Sequence, residues 1–205
     1  MKFFIFFILL FPIFSLSAQK NELPRYHLQV SAGRCFHGSG DLRGVIFSTD
    51  FSKYVKKKLS LGLSLSGTVH DGNYPLYFTY GNREVDGSLR YNVAGIQLAG
   101  LIGYGIVRNE EHGIQLKGGP LLRYQSSSLP DYYEIAYPAA TGLPYPVIIY
   151  QHSSPQRTYS IGGVLQLHYN YTFSRRFTIG LLAGFQADTE GDNLFQTSLS
   201  AGIRL

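Results

Sequence analysis

His152 and Ser154 stand two residues apart, a spacing that lets an imidazole take a proton from a serine hydroxyl and make it a nucleophile. Such a pair works only when a rigid element holds it and a carboxylate orients the imidazole. Here it sits beside Pro155 at the end of a loop, with no motif around it, so no catalytic residue is assigned. His27 and His168 lie on alternating segments, opposite the apolar side chains, where hydrogen bonding and not metal ligation is their expected work. Cys35 is the single cysteine, which excludes a disulfide scaffold, and nothing near it in sequence would depress its pKa. There is no Cys/His spacing for zinc and no glycine-rich loop followed by lysine for nucleotide phosphates, so neither a metal nor a cofactor is expected. Tyrosine is the abundant functional group. The chain holds 16, and Tyr74, Tyr77, Tyr133, Tyr137 and Tyr150 fall in two long segments, 71–90 and 126–156. Tyrosine offers a large rigid face and a hydroxyl at modest entropic cost, so the chemistry available there is recognition and not bond-making.

Positioning those side chains falls to 205 residues, enough for one ordinary domain. Hydrophobic residues make up 44% of the chain and charged ones 15%, too apolar and aromatic for a disordered tail. Lys2 opens an apolar run from Phe3 to Phe14, and Ser15-Leu16-Ser17-Ala18 supplies the small residues that a signal peptidase accepts. A membrane helix needs about 20 apolar residues, so this shorter run reads as a cleaved secretory signal over 1–18, cut after Ser17 or Ala18. Lys2 is the only charge removed from the +5 chain, which leaves a mild +4 without a dense basic stripe and argues against a nucleic-acid partner.

Beyond the signal no helical period is present. Apolar residues instead alternate with small or polar ones, as in a half-buried strand. In "LSLGLSLSGTVH", residues 59–70, Leu59, Leu61, Leu63, Leu65 and Val69 face one way, and Ser60, Gly62, Ser64, Ser66, Thr68 and His70 the other. Seven more segments follow the plan: 26–36, 45–54, 91–106, 113–125, 157–173, 177–188 and 194–205. A water-soluble sandwich exposes lysine and glutamate on its second face. Here that face is mostly Gly, Ser, Gln, Thr and Asn, a filling for a narrow polar lumen, so the apolar face is the one that meets lipid.

The expected fold is therefore all-β: an eight-stranded antiparallel up-and-down transmembrane β-barrel over 26–205, preceded by a short periplasmic segment over 19–25. Short links fall near Lys56-Lys57-Lys58, at 108–112 and at Ser174-Arg175-Arg176, as on the periplasmic side of such barrels. Both termini then lie in the periplasm of an outer-membrane protein. Aromatics fall into two belts, Tyr26, Tyr104, Tyr171, Phe173 and Phe177 near one edge and Phe36, Phe47, Tyr124, Tyr159, Phe185 and Phe195 near the other.

With its signal peptide, its alternating segments, "DFSKYVKKKLSLGLSLSG" at 50–67 and the closing "SLSAGIRL", the chain resembles the small outer-membrane β-barrel domain family of Gram-negative envelopes. The resemblance implies outer-membrane lipid and the barrel-assembly machinery as partners. That machinery reads the last strand, which in the family usually ends in an aromatic; this chain ends in Leu205 with Phe195 upstream. A separate family of lipid A deacylases uses a His-x-Ser pair, but on a strand and within a motif that this chain lacks.

Eight strands leave an interior that side chains can fill. Asp50, Gln97, Lys117, Arg123, Gln166, His168 and Arg204 are expected to point inward and pair, sealing a polar core. In the long loops, "YPLYFTY" and "REVDGSLRY" flank Gly81-Asn82, a tight hairpin turn, while "DYYEIAY" and "PVIIYQH" flank a tip from Pro138 to Pro146. The third to sixth strands are thus expected to extend beyond the membrane as adjacent hairpins, with 74–80 and 147–153 as outer strands of a surface sheet. The expected role is non-enzymatic, structural or adhesin-like, with a surface protein or polymer as partner. A narrow channel for ions or small solutes is the alternative, and a lipid A-modifying hydrolase a distant third.

Overall fold

A computed structural model describes residues 24–38, 42–152, 154 and 156–205. The signal peptide expected over 1–18, and all but the end of the 19–25 segment, lie outside the described residues. Twelve strands and one helical turn follow in chain order: β1 (Tyr26–His37), β2 (Leu42–Tyr54), β3 (Leu59–Tyr74), β4 (Tyr77–Tyr80), β5 (Arg83–Asp86), β6 (Leu89–Arg108), β7 (His112–Ser127), β8 (Tyr132–Ala136), α1 (Pro138–Thr141), β9 (Val147–Gln151), β10 (Gln156–Phe173), β11 (Phe177–Asp188) and β12 (Asn193–Arg204). Eight of them close a barrel in the order β1-β2-β3-β6-β7-β10-β11-β12, and β12 returns antiparallel to β1 from His27↔Arg204 to His37↔Leu194. Closure removes the edges that an open sheet would leave unpaired.

The faces are inverted relative to a water-soluble protein. On β12, Leu199 is 71% exposed while Gln196, Ser198 and Ser200 are buried. On β3, Leu61, Leu63 and Leu65 point out, while Ser60, Ser64 and Ser66 point in. An apolar band thus encircles a polar filling, the arrangement lipid requires and water penalises. Aromatic pairs mark both rims of the outward face: Tyr26 on Phe51 (6.0 Å) and Phe173 on Phe177 (5.9 Å) at one, Tyr124 on Tyr159 (4.7 Å) and Phe185 on Phe195 (4.8 Å) at the other. We call the first rim, where β1 starts, β12 ends and the β2–β3, β6–β7 and β10–β11 connections lie, the turn end, and the opposite rim the loop end.

Small residues let the barrel curl this tightly. A Cβ at Gly119 would collide with the carbonyl oxygen of Gly100 on the neighbouring strand. Four adjacent strands, β3, β6, β7 and β10, run 16, 20, 16 and 18 residues, against 12 or 13 for the other four. Their loop ends lead into the two small hairpins.

The first hairpin pairs β4 with β5 around Gly81 (φ 56°) and Asn82 (φ 60°), the two left-handed residues a two-residue hairpin turn demands. The second pairs β8 with β9 around α1, which Gly142 ends in the left-handed conformation (φ 69°). The expected single surface sheet is corrected here: among the described residues these are separate two-stranded ribbons. The reason is local. Pro75 has no N–H to offer the ladder, and pairing lapses at Pro75-Leu76 and Gly87-Ser88, where the Gly87 N–H donates to the Leu76 carbonyl (2.8 Å) and the Leu76 N–H to the Ser88 hydroxyl (3.3 Å). The Ser88 N–H donates to Asp86 Oδ1 at 2.9 Å and closes the base of the first ribbon; the Ser88 hydroxyl first, and this N–H second, hold the Asp86 carboxyl below its ordinary range.

Candidate functional site

The lumen is built from alternate positions of the eight long strands. Asp50, Gln97, Lys117, Arg123, Gln166 and His168 are all buried inside it, each at 4% exposure or less. They do not form one cluster. Lys117 and Asp50, of opposite charge, are buried in the half nearer the turn end, and the Gln166 side-chain oxygen lies 3.1 Å from His168 Nε2. Nearby, the Gln29 amide donates to Asn170 Oδ1 (3.1 Å), and His27 Nε2 lies 3.0 Å from the Thr178 hydroxyl. Arg204 also turns inward, at the mouth of the lumen beside His27, Gln115 and Asn170. It is half-buried at the turn end, where Nη1 donates to the carbonyls of Asn109 and Glu110, 3.2 Å each, and ties the β6–β7 turn to the last strand.

Arg123 belongs to a second network at the loop end. Its Nη1 lies 3.6 Å from Asp188 Oδ2, which also accepts the Ser160 hydroxyl at 2.9 Å. Asp192 Oδ2 accepts the Gln125 amide (3.0 Å) and stands 3.1 Å from His37 Nε2. The His37 ring is 5.2 Å from that of His70, whose Nε2 is 3.1 Å from the Cys35 thiol. Cys35 is fully buried with Ile46 and Leu194.

Between the two polar networks lies a layer that the alternation of residue types did not reveal. Ala99, Leu101, Leu121 and Val164 form a buried apolar cluster inside the barrel, and Leu182 is buried as well. Each of these except Ala99 belongs to an apolar pair, Leu101-Ile102, Leu121-Leu122, Val164-Leu165 or Leu181-Leu182, of which one member must face in. The interior is thus stratified: a polar layer that holds Lys117 and Asp50, an apolar layer, then the Arg123–Asp188 network.

The ribbons bring together residues that are far apart in sequence. Tyr74 meets Tyr133 (ring centroids 6.2 Å), and Tyr80 meets Tyr137 (6.5 Å). Tyr150 is half-buried, and its hydroxyl donates to the Gly87 carbonyl, while Ile148 packs where a Gly87 Cβ would sit. The second ribbon is therefore clamped onto the base of the first. Tyr77 is 58% exposed and open to the surroundings, as are Tyr132 and Tyr145, which the sequence reading did not single out. His152 and Ser154 lie exposed, outside every strand, and the Ser154 N–H donates to Asp131 Oδ2 at 2.8 Å, which fastens the foot of the second ribbon.

A closed eight-stranded antiparallel barrel, apolar outside and polar inside, with aromatic rims and elaborated loops at one end, is the fold of the small outer-membrane barrels. Solved structures that share it include the following two. Ail, the attachment invasion locus protein of Yersinia pestis, superposes with a TM-score of 0.53 at 9% identity, covering 90% of this chain and all of Ail. Neisserial surface protein A superposes with a TM-score of 0.56 at 10% identity, covering 88% of this chain and 97% of that one. Ail has also been solved in complex with the heparin analogue sucrose octasulfate. No protein-family model and no curated protein matches the chain.

Proposed function

We propose that the barrel spans the outer membrane with both termini in the periplasm, and that the two ribbons form a non-enzymatic surface-interaction module for a protein or polymer partner. One observation carries this reading. β4 and β5 pair only with each other among the described residues, as do β8 and β9, so each ribbon offers free strand edges beside exposed tyrosines. Free edges accept a partner strand through main-chain hydrogen bonds, and aromatic faces add contact area. The buried apolar layer inside the barrel supports a sealed lumen over a conducting one. Ail, which shares the fold, is by its own name an attachment protein and has been solved with a heparin analogue, which makes sulfated polymers a first class of partner to test. Outer-membrane lipid and the barrel-assembly machinery complete the expected partners.

Replacing 131–153 by a tight turn is expected to leave the barrel folded, because halving a loop changes its closure cost by only about 0.6 kcal/mol. Migration in unheated and boiled gel samples reads the fold, and binding of intact cells to immobilised heparin or host matrix protein reads the function. Binding should fall at least tenfold. A folded, shortened protein that retains all surface binding would reduce the ribbons to a cover over the rim.

The channel reading draws on a different observation. Both Asp50 carboxylate oxygens and the Gln97 amide are buried without a protein hydrogen-bond partner among the described residues, and water can complete such bonds. Planar-bilayer recording separates the two readings: no steady conductance is expected, and a reproducible ohmic step would favour the channel.

A further inference from the structure

The charges of this chain are sorted to its two ends. At the loop end, acidic side chains outnumber basic ones among the described residues. At the turn end the β2–β3 connection carries Lys56, Lys57 and Lys58 beside Lys53, and the β10–β11 connection carries Arg175 and Arg176, all exposed. Among the described residues none of these six has an acidic side chain within ion-pair distance. Only the β6–β7 turn interrupts them, with Glu110 and Glu111. The ring order of the strands places the two basic connections on opposite sides of this rim, with the acidic turn midway on one side and the start of β1 and the end of β12 midway on the other; the arc that joins them without crossing an acidic turn runs past those strand ends.

The height of the arc is fixed by the aromatic belt. Lys53 Nζ lies 5.4 Å from the centre of the Tyr26 ring and Lys58 Nζ 5.8 Å from that of Tyr104, both rings on the outward face. Long stems laid on outward aromatics put the ammonium groups where acyl chains give way to headgroups. A polymer lying beneath the barrel would be met by cations pointing along its axis. These two instead lean on the flank.

We propose that this basic arc is a binding collar for anionic phospholipid headgroups, selecting phosphatidylglycerol-type lipids from zwitterionic ones at the turn end of the barrel. The proposal rests on the membrane-spanning reading above and adds a ligand class to it. Phosphodiester oxygens accept from several lysines at once, and the diffuse negative potential of such a leaflet attracts each cation near it. The attraction is screened within about 10 Å at 0.1 M salt.

The test uses the full-length mature barrel, folded into phosphatidylcholine vesicles that carry a trace of spin-labelled phosphatidylglycerol or spin-labelled phosphatidylcholine. Electron spin resonance then reports the motionally restricted fraction of each label. In these symmetric vesicles both ends of the barrel meet the same lipid, so they compete on equal terms. The unaltered protein should restrict the anionic label roughly threefold more than the zwitterionic one at low salt. The preference should vanish in 0.5 M salt and in the variant Lys53→Gln/Lys56→Gln/Lys57→Gln/Lys58→Gln, and it should survive in Arg34→Gln/Arg43→Gln at the loop end. Equal restriction of both labels, or a preference lost with the arginines and kept without the lysines, overturns the collar. Lysine-dependent co-sedimentation with purified peptidoglycan sacculi, without lipid preference, would assign the arc to the cell wall instead. A protein that never acquires the boiling-sensitive gel shift in vesicles refutes the membrane reading, and the collar with it. A folded protein without lipid preference refutes the collar alone.

Discussion

Leu63→Arg is expected to cost the folded barrel about 2–4 kcal/mol, and Ser64→Ala about 1 kcal/mol or less, although the two residues are adjacent. Leu63 is 53% exposed on the outward face, in register with Phe51 on β2 and Gly100 on β6, and within the apolar band formed with Leu61 and Leu65. A guanidinium there must be desolvated in hydrocarbon or drag water to itself. Ser64 is 2% exposed, and its hydroxyl has no protein hydrogen-bond partner, so truncating it leaves no orphaned group behind. Urea unfolding in lipid vesicles, followed by circular dichroism, measures both. Equal, mild effects would mean that the outward face does not meet hydrocarbon.

That contrast shows why the barrel could be read from the sequence at all. Alternation with period two assigns each residue to a face, and the near absence of charge from the polar face tells which face turns inward. "LSLGLSLSGTVH" states both facts in twelve residues, and β3 begins at Leu59 as the pattern demands. The loop-end limits were less legible. β3 continues past His70 to Tyr74, because Asp71, Gly72 and Asn73 pair with Asn92, Tyr91 and Arg90 through backbone groups that no side-chain pattern reports.

Inside the barrel, legibility followed residue type. Gln97, Lys117 and His168 could be placed because polar side chains do not face lipid. Leu121 and Leu182 could not, since each has an apolar neighbour that fits the outward face equally well. Arg204 followed the alternation as well, and at the mouth of the lumen its long stem reaches the β6–β7 turn carbonyls. The ribbons mark the other limit. Gly81-Asn82 names its own turn, yet the clamp of Tyr150 on Gly87 joins residues 63 apart in sequence, and nothing local announces it. The filled lumen follows from strand number and residue size. What the ribbons present depends on such non-local contacts, so the sequence discloses a class of surface and not a ligand.

Arg123→Met is expected to destabilise the protein by about 3–5 kcal/mol, the cost of leaving one buried charge without its counterpart. Both side chains of the Arg123–Asp188 pair are nearly inaccessible, at 2% and 3% exposure. Asp188 cannot swing out to water to escape. Its Oδ2 is held by the Ser160 hydroxyl, and its Oδ1 accepts the N–H groups of Glu190 (3.1 Å) and Asp192 (3.2 Å), which shape the β11–β12 turn. Asp188→Asn keeps an oxygen for those donors and leaves the guanidinium with the Asp192 carboxylate, which attracts it as well. The double variant Arg123→Met/Asp188→Asn removes both charges and should recover much of either loss, giving a coupling of about 1–3 kcal/mol in a double-mutant cycle. Denaturant unfolding of the four proteins in the same vesicles supplies the cycle. Strictly additive losses would show that the two charges are separately hydrated across their 3.6 Å gap. A lumen wet enough to insulate that pair is the lumen of a channel, so the cycle tests the sealed interior by a route independent of conductance.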